Sequence, residues 1–417
     1  MAPAGLFCFL CAFWCYGSLL CWFYGFGAPV CWKYVAQPII AFYTLSFMKK
    51  VGIITFHASH NYGSMLQAYA LQQVILDMGY QCEIINFRTE RQKNIYKPTY
   101  LRGPFVRKIV VTLLYLPHLR SLHKKEQCFE SFLKEHLLAT KEKYDTLEDI
   151  EQADLDFDYY ISGSDQIWNT ACYDFDWAFF LPFAKKAKRI AYAPSMGPIP
   201  FAQVSSEFDS YIKDALVQYD HICVREAGTA SRIHKILGIE CRVNLDPTLL
   251  LCAEKWNRLI GNTPLIDEPY LFLYTPFYSE EVFQLAKKWA ADLKIKIVVS
   301  QAYGLVDRKW LYNKSFRPYF VAGPKEFLNL CRYATGIIGS SFHLVAFAII
   351  LHKPFWAVDG LKDSRVKNLL HLVGLESRSL DSRGNPEVSP DIDFDLVQEK
   401  LELKRRESIQ WLRNSLE

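Results

Sequence analysis

Several common enzyme signatures are missing from this chain. It has no GxxxxGK[ST] phosphate loop, no GxGxxG fingerprint, no HExxH helix and no serine in a GxSxG elbow. Those absences remove the usual NTPase, dehydrogenase, metalloprotease and α/β-hydrolase readings. Net charge is nearly absent too, +4 over 417 residues. That gives no reason to invoke nucleic acid, while a modestly basic enzyme suits an anionic substrate. The seven cysteines from Cys82 to Cys331 form no CxxC pair and keep no regular spacing. This argues against a zinc site and a disulfide framework, and fits free thiols in a reducing compartment. No histidine or carboxylate cluster demands a metal, so neither metal nor cofactor is expected.

Charge is scarcest in residues 1–47, where Lys33 stands alone among five cysteines and three tryptophans. Three readings of this hydrophobic extension compete. Leu6 to Val30 is uncharged and long enough to span a bilayer. A cleaved signal peptide is disfavoured, because no basic residue precedes the apolar run. The preferred reading is that Met48 is the true start, since Met48-Lys49-Lys50 leads straight into a strand. If the anchor is real, Lys33, Lys49 and Lys50 lie on its C-terminal side, which still leaves the body in the cytoplasm. The expected location is therefore cytoplasmic, at the inner face of the membrane in the anchored case.

What is present beyond Met48 is an ordinary globular mixture, long enough for two domains. Short apolar strands alternate with amphipathic helices. Val51–Phe56 reads as a buried strand, Asn61–Ser64 as a turn, the next fifteen residues as a helix, and Cys82–Phe87 as the second strand of a βαβ unit. Residues 90–145 break the alternation as a basic helical insertion, with Arg102, Arg107, Lys108, Arg120, Lys124 and Lys125. Strands follow at 157–161, 189–193, 221–224 and 242–245, then at 270–274, 295–299, 336–338 and 354–358. Helices fall near 201–218, 226–237, 280–293, 324–333 and 343–351, and a charged helix spans 393–416. The pattern gives two doubly wound α/β halves, which place a ligand at the carboxyl ends of the strands.

Four strand-to-helix turns could carry chemistry. His57 through Asn61-Tyr62-Gly63-Ser64 leaves backbone N–H groups free for an anion, or is simply a capped turn. Gly163-Ser164-Asp165-Gln166-Ile167-Trp168-Asn169 suits a polar ring such as a sugar, although Trp168 also reads as core. Arg225 presents a fork that matches carboxylate or phosphate, or pairs with Glu226 or another neighbour. Gly339-Ser340-Ser341-Phe342-His343 opens an apolar helix and makes a phosphate site, although a lone histidine is often structural.

Taken together, five ordered blocks resemble the polysaccharide pyruvyl transferase family. They are GIITFHASHNYGSMLQAYALQQVILDMGY, YISGSDQIWN, VREAGTASRIHKILGIECRVNLDPTLLL, GIIGSSFHLVAFAIILHKPF and SRVKNLLHLVGLESR. One departure is Leu344, where the family usually has glycine after the histidine; a leucine there narrows backbone approach to a ligand. The resemblance implies a GT-B-like fold of two Rossmann-type domains facing a central cleft, with a C-terminal helix returning to the first. It implies an acceptor domain over 48–240, a donor domain over 241–385, and a linker and helix over 386–417. The implied activity is transfer of the enolpyruvyl unit of phosphoenolpyruvate to two hydroxyls of a sugar, forming a ketal and releasing phosphate. The implied site takes Arg225, Ser340, Ser341 and His343 to the donor. His57, Asp165 and His343 are the acid–base candidates. Asn61, Tyr62, Gly63, Ser164, Gln166, Trp168 and Asn169 face the carbohydrate acceptor. The alternatives are a GT-B glycosyltransferase using a nucleotide sugar, and a carbohydrate-binding member that has lost its chemistry.

Overall fold

The computed structural model describes residues 48–96, 116–197, 207–276, 278–301, 314–384 and 391–417. The hydrophobic extension, Arg102, Arg107 and Lys108 of the insertion, the start of the helix expected near 201–218, and most of the 386–392 linker lie outside the described residues.

The first half alternates β1 (Lys50–Ile54), α1 (Tyr62–Asp77) and β2 (Gln81–Ile84). The insertion follows as α2 (Glu90–Tyr96), α3 (Leu119–His136) and α4 (Leu147–Gln152). Then come β3 (Tyr159–Ser162), β4 (Lys188–Tyr192), α5 (Asp209–Leu216), β5 (His221–Val224), α6 (Ala227–Leu237) and β6 (Arg242–Val243). These strands form a six-stranded sheet of order β2-β1-β3-β4-β5-β6. Strands such as VGII and YYIS are apolar at nearly every position because helices cover both faces of a parallel sheet. Their side chains meet Phe56, Phe87, Trp168, Phe179 and Phe180 in one core.

The second half begins with a short 3₁₀ turn at Pro247–Leu250 and α7 (Ala253–Ile260). It continues through β7 (Tyr270–Tyr274), α8 (Glu280–Leu293), β8 (Lys296–Ser300) and β9 (Phe316–Pro318). Next are α9 (Pro324–Tyr333), β10 (Gly336–Gly339), α10 (Phe342–Ile350), β11 (Phe355–Val358), α11 (Ser364–Val373) and β12 (Ser379–Leu380). The order β12-β11-β10-β7-β8-β9 is the Rossmann order read from its far edge. Strand β9 and helix α7 go beyond the sequence reading. β9 is three residues ending in Pro318, tolerable only at an edge, and α7 hides a short buried stripe of Trp256, Leu259 and Ile260.

The last helix, α12 (Phe394–Ser415), ties the halves together. Gln398 Nε2 donates to Ile349 O at 3.2 Å on α10, and Arg405 Nε donates to Leu249 O at 2.8 Å. Further along, Ser408 Oγ accepts from Leu245 N at 3.1 Å, and Trp411 lies 6.1 Å from the Tyr192 ring on β4. The architecture is thus GT-B-like, two Rossmann-type halves with a C-terminal helix that returns to the first. Among the described residues, no helix is long and apolar enough to cross a membrane.

Leu412 on α12 is fully enclosed. Leu412→Ala should lower unfolding stability by about 2–5 kcal/mol in urea titration, the range for an emptied leucine site. A loss below about 1 kcal/mol would mean that this end of α12 is not part of the packed core.

Candidate active site

In an open parallel sheet a ligand sits beyond the strand ends where strand order reverses. The reversals fall between β1 and β3 in one half, and between β7 and β10 in the other. All four turns singled out from the sequence follow strands of these two sheets, and three of them flank the reversals. Across the first, Thr55 Oγ1 donates to Ser164 O at 3.1 Å, and Gln67 Oε1 accepts from Ser164 N at 3.0 Å. Across the second, the hydroxyls of Thr275 and Ser340 are 2.7 Å apart.

A chain of buried polar groups then joins the halves. Ser64 Oγ donates to Asp165 Oδ2 at 2.6 Å. Asp165 Oδ1 is 3.4 Å from Arg225 Nη1, which donates to Asp246 Oδ2 at 2.9 Å. Asp246 Oδ2 lies 3.6 Å from His343 Nε2, an ion-pair distance too long for a hydrogen bond. The Arg225 and Asp246 side chains are 1% and 0% exposed, so neither charge is met by bulk water. Burial opposes ionisation of Asp246, yet His343, Arg225 and the Thr248 amide hold its carboxyl well below the usual carboxylate range. Burial likewise opposes the Arg225 charge, but Asp165, Asp246 and Glu226 keep it a guanidinium. Glu226 goes the other way: its burial outweighs Arg225 and raises its carboxyl. Asp165 reaches this position with φ at +68°, a costly conformation for a residue with a Cβ.

His343 is fixed by its surroundings. It is the second residue of α10, and its ring lies on the second residue of α1: a Cβ on Gly63 would be 1.9 Å from His343 Nδ1. Two helix N-termini therefore abut at the ring, and the 3₁₀ turn capped by Asp246 starts beside them. Aligned N-terminal dipoles favour an anion. α1 is already capped, because Asn61 Oδ1 accepts from Gly63 N at 3.0 Å and Ser64 N at 3.4 Å. α10 differs: Ser341 occupies its cap position and its side chain makes no capping bond. Ser340, Ser341 and His343 thus stand together at an N-terminus without a side-chain cap.

Other expected site residues face protein partners. Trp168, expected to position a sugar, is a core residue with no exposed surface, stacked on Phe180 at 5.1 Å. Tyr62 is also fully buried; it stacks on Phe327 at 4.7 Å and its hydroxyl meets Ser300 Oγ at 2.8 Å, locking the halves together. His57 is sealed in the first half, its nitrogens 3.2 Å from Thr55 O and 3.3 Å from Asn86 Oδ1, and burial lowers its pKa. Both ring nitrogens are thus turned toward partners inside the first half. Ser164 is buried and donates to Ala193 O at 2.6 Å, while the part-buried Gln166 and Asn169 bond each other at 3.1 Å. Arg225 is already committed to carboxylates, so its fork organises the site instead of waiting for a ligand. Leu344 is buried with its Cδ2 2.6 Å from where a Cβ on Gly339 would stand, so it packs over the end of β10.

Sequence reasoning passed over Asp246, and named Ser64 only as a turn residue and Glu226 only as a possible partner of Arg225. The signal for Asp246 was present in Asp246-Pro247-Thr248: Asp246 Oδ1 accepts from Thr248 N at 2.9 Å and Thr248 Oγ1 at 2.7 Å, an ordinary cap. The second oxygen, freed by that geometry, serves Arg225 and His343. Among the described residues, no three His, Cys, Asp or Glu side chains are grouped to hold a metal ion.

Comparison with known proteins gives one family, described as polysaccharide pyruvyl transferase, matching residues 61–360. No curated protein matches significantly. Among solved structures, the chain is similar to the UDP-GlcNAc 2-epimerase of Methanocaldococcus jannaschii in complex with UDP-GlcNAc and UDP. Identity there is 12%, coverage 86% of this chain and 93% of that one, and the TM-score 0.48. The Neisseria meningitidis UDP-GlcNAc 2-epimerase bound to UDP-GlcNAc gives 9% identity, 88% and 99% coverage, and a TM-score of 0.48. The glycosyltransferase SnogD from Streptomyces nogalater gives 11% identity, 87% and 95% coverage, and 0.39.

Two outcomes follow from the geometry. Gly63→Ala must push His343 aside, so its crystal structure should show a displaced imidazole; an unmoved ring would contradict the close approach. Asp246 has a folded pKa below its ordinary value of about 4, so its stabilisation is complete above that pH and is lost as pH falls below it. Melting temperature followed from pH 7 to pH 2 should therefore fall less steeply in Asp246→Asn, from a lower starting point. An unchanged acid profile would remove Asp246 from this role.

Proposed function

Because the chain belongs to the polysaccharide pyruvyl transferase family, and is therefore a transferase, we propose that it moves the enolpyruvyl unit of phosphoenolpyruvate onto two hydroxyls of a sugar. The sugar belongs to a bacterial surface polysaccharide, an exopolysaccharide or its precursor. In the balanced reaction, the donor's C3 methylene gains one proton and becomes a methyl group. Two sugar oxygens bond to C2, the C2–O bond to phosphate breaks, and the second hydroxyl proton leaves with phosphate. The carboxylate stays on the new ketal. No net proton is consumed and no redox partner or cofactor is required.

The observation that carries this reading is the uncapped N-terminus of α10 with Ser340, Ser341 and His343 beside it. Its amides and hydroxyls supply donors to a phosphate whose charge grows as the C2–O bond breaks. His343 is the proton carrier, an imidazole whose side chain is 10% exposed and whose Nε2 faces an ionised Asp246. Asp165 is the candidate base for the first hydroxyl. Arg225 acts through Asp165 and Asp246 as a positioning residue. The work is done in the cytoplasm, with residues 1–47 as the means of any membrane association.

The test is phosphate release from phosphoenolpyruvate by the full chain, screened against mixed bacterial glycans. Release should depend on acceptor, and His343→Ala should reduce it by about 10²–10⁴-fold, the usual worth of an acid–base group. Normal turnover in that variant would remove His343 from the mechanism. Binding of nucleotide sugars without binding of phosphoenolpyruvate would replace pyruvyl transfer with glycosyl transfer.

A further inference from the structure

The carboxyl ends of β1, β2 and β3 carry a second polar network, bonded separately from the Asp165–Arg225 chain. After β1 come Ser59 and His60; after β2 come Arg88 and, on α2, Tyr96; after β3 comes Asp174. Glu130 reaches in from α3. Asp174 Oδ2 accepts from the Tyr96 hydroxyl at 3.0 Å and from Ser59 Oγ at 3.4 Å. Glu130 Oε1 lies 2.9 Å from His60 Nε2 and accepts from Arg88 Nη1 at 2.9 Å. The His60 ring is held between Phe129, parallel at 4.9 Å, and Tyr96 at 5.4 Å. Burial opposes ionisation of Glu130, but His60 and Arg88 hold it down to about 2. Burial pushes the Asp174 carboxyl up, and the nearby Asp165 charge adds to that.

Asp174 is the unusual member. Among the described residues, no cation pairs with it; its carboxylate is met by two hydroxyls. A desolvated carboxylate without a cation is costly, and in its ionised form it only accepts hydrogen bonds. Its natural complement is a ligand that brings several donors and no negative charge. The network as a whole has the same preference. Two carboxylates stand against one guanidinium, and burial lowers the pKa of His60. An anion such as phosphoenolpyruvate is repelled here, whereas a polyol is welcomed by alternating acceptors and donors. Asp174 is only part-buried and the Glu130 side chain is 44% exposed, so a ligand can reach both.

We propose that Asp174, with Ser59, Tyr96 and the His60–Glu130–Arg88 group, forms a binding site for a neutral hexose ring, the acceptor end of the reaction. The proposal rests on the transferase reading above for its place in the reaction, but the site is defined by hydroxyl recognition alone. Asp174 orients the ring through paired hydroxyl donors, as it now holds Tyr96 and Ser59. The donor then occupies the α10 side.

The test uses the full chain and three probes, methyl glucoside, methyl galactoside and methyl mannoside, followed by saturation-transfer NMR at millimolar concentration. At least one should bind, and Asp174→Asn should weaken it at least tenfold. Tyr96→Phe, which removes one hydroxyl from an intact fold, should weaken it a few-fold. Phosphoenolpyruvate binding, followed by phosphorus NMR, should be unchanged in both variants. Equal hexoside binding by wild type and both variants would overturn the proposal, as would failure of the wild-type chain to bind any of the three. Loss of phosphoenolpyruvate binding together with hexoside binding in Tyr96→Phe would also overturn it. A chain that ignores phosphoenolpyruvate but loses hexoside binding in Asp174→Asn would sink the donor reading and leave this one standing.

Discussion

A guanidinium sealed from water must be neutralised where it stands, and Arg225 sets the arrangement around it. Its neighbours come from three places in the chain: Asp165 after β3, Glu226 next to it, and Asp246 after β6. Removing one member of a buried ion group leaves an uncompensated charge and costs about 3–5 kcal/mol. The group therefore fixes three loops at once. Asp246 passes the constraint to His343 across the two halves, and Asp165 passes it to Ser64 at the start of α1. The ionic chain is costly as a means of stability. Its return lies in placing a histidine, a serine and two carboxylates within one small volume.

Around that chain the fold supplies rigidity by apolar means. Tyr62 is wedged among Phe129, Tyr274 and Phe327, rings drawn from α3, β7 and α9. Helix α12 runs from α10 to β4 and touches Leu245 after β6 and Leu249 in the 3₁₀ turn on the way. Close backbone approach does the rest. A Cβ on Gly339 would lie 1.8 Å from Tyr274 O, so glycine is needed where β7 and β10 part to open the second reversal. The same logic puts Gly63 beneath His343. Positions that look like turn residues in sequence are, in space, where the two halves come closest.

Much of the fold was legible because parallel strands buried on both faces read as short apolar runs. His221–Val224, Tyr270–Tyr274, Glu280–Leu293 and Pro324–Tyr333 stand at their expected bounds. β9 and β12 were not legible, since two or three edge residues carry no periodicity. The site was legible at the level of which turns matter, and less so for individual roles. Trp168 and Tyr62 sit in polar stretches, yet their rings turn inward to pack, and sequence alone does not tell which way a loop aromatic faces. Arg225 read equally well as ligand clamp or ion-pair member. What decides it are carboxylates 60 and 21 residues away, whose nearness only the fold creates. Asp246 was hidden by a second duty, because a cap explains one of its oxygens and leaves no sequence trace of the other.

The most direct measurement of the central claim is a crystal structure of the full chain with phosphoenolpyruvate bound. The phosphate should lie against the first turn of α10, within hydrogen-bonding distance of Ser341 and His343, with Arg225 still joined to Asp165 and Asp246. A phosphate held instead by Arg88 beside Glu130, with the α10 N-terminus untouched, would contradict it.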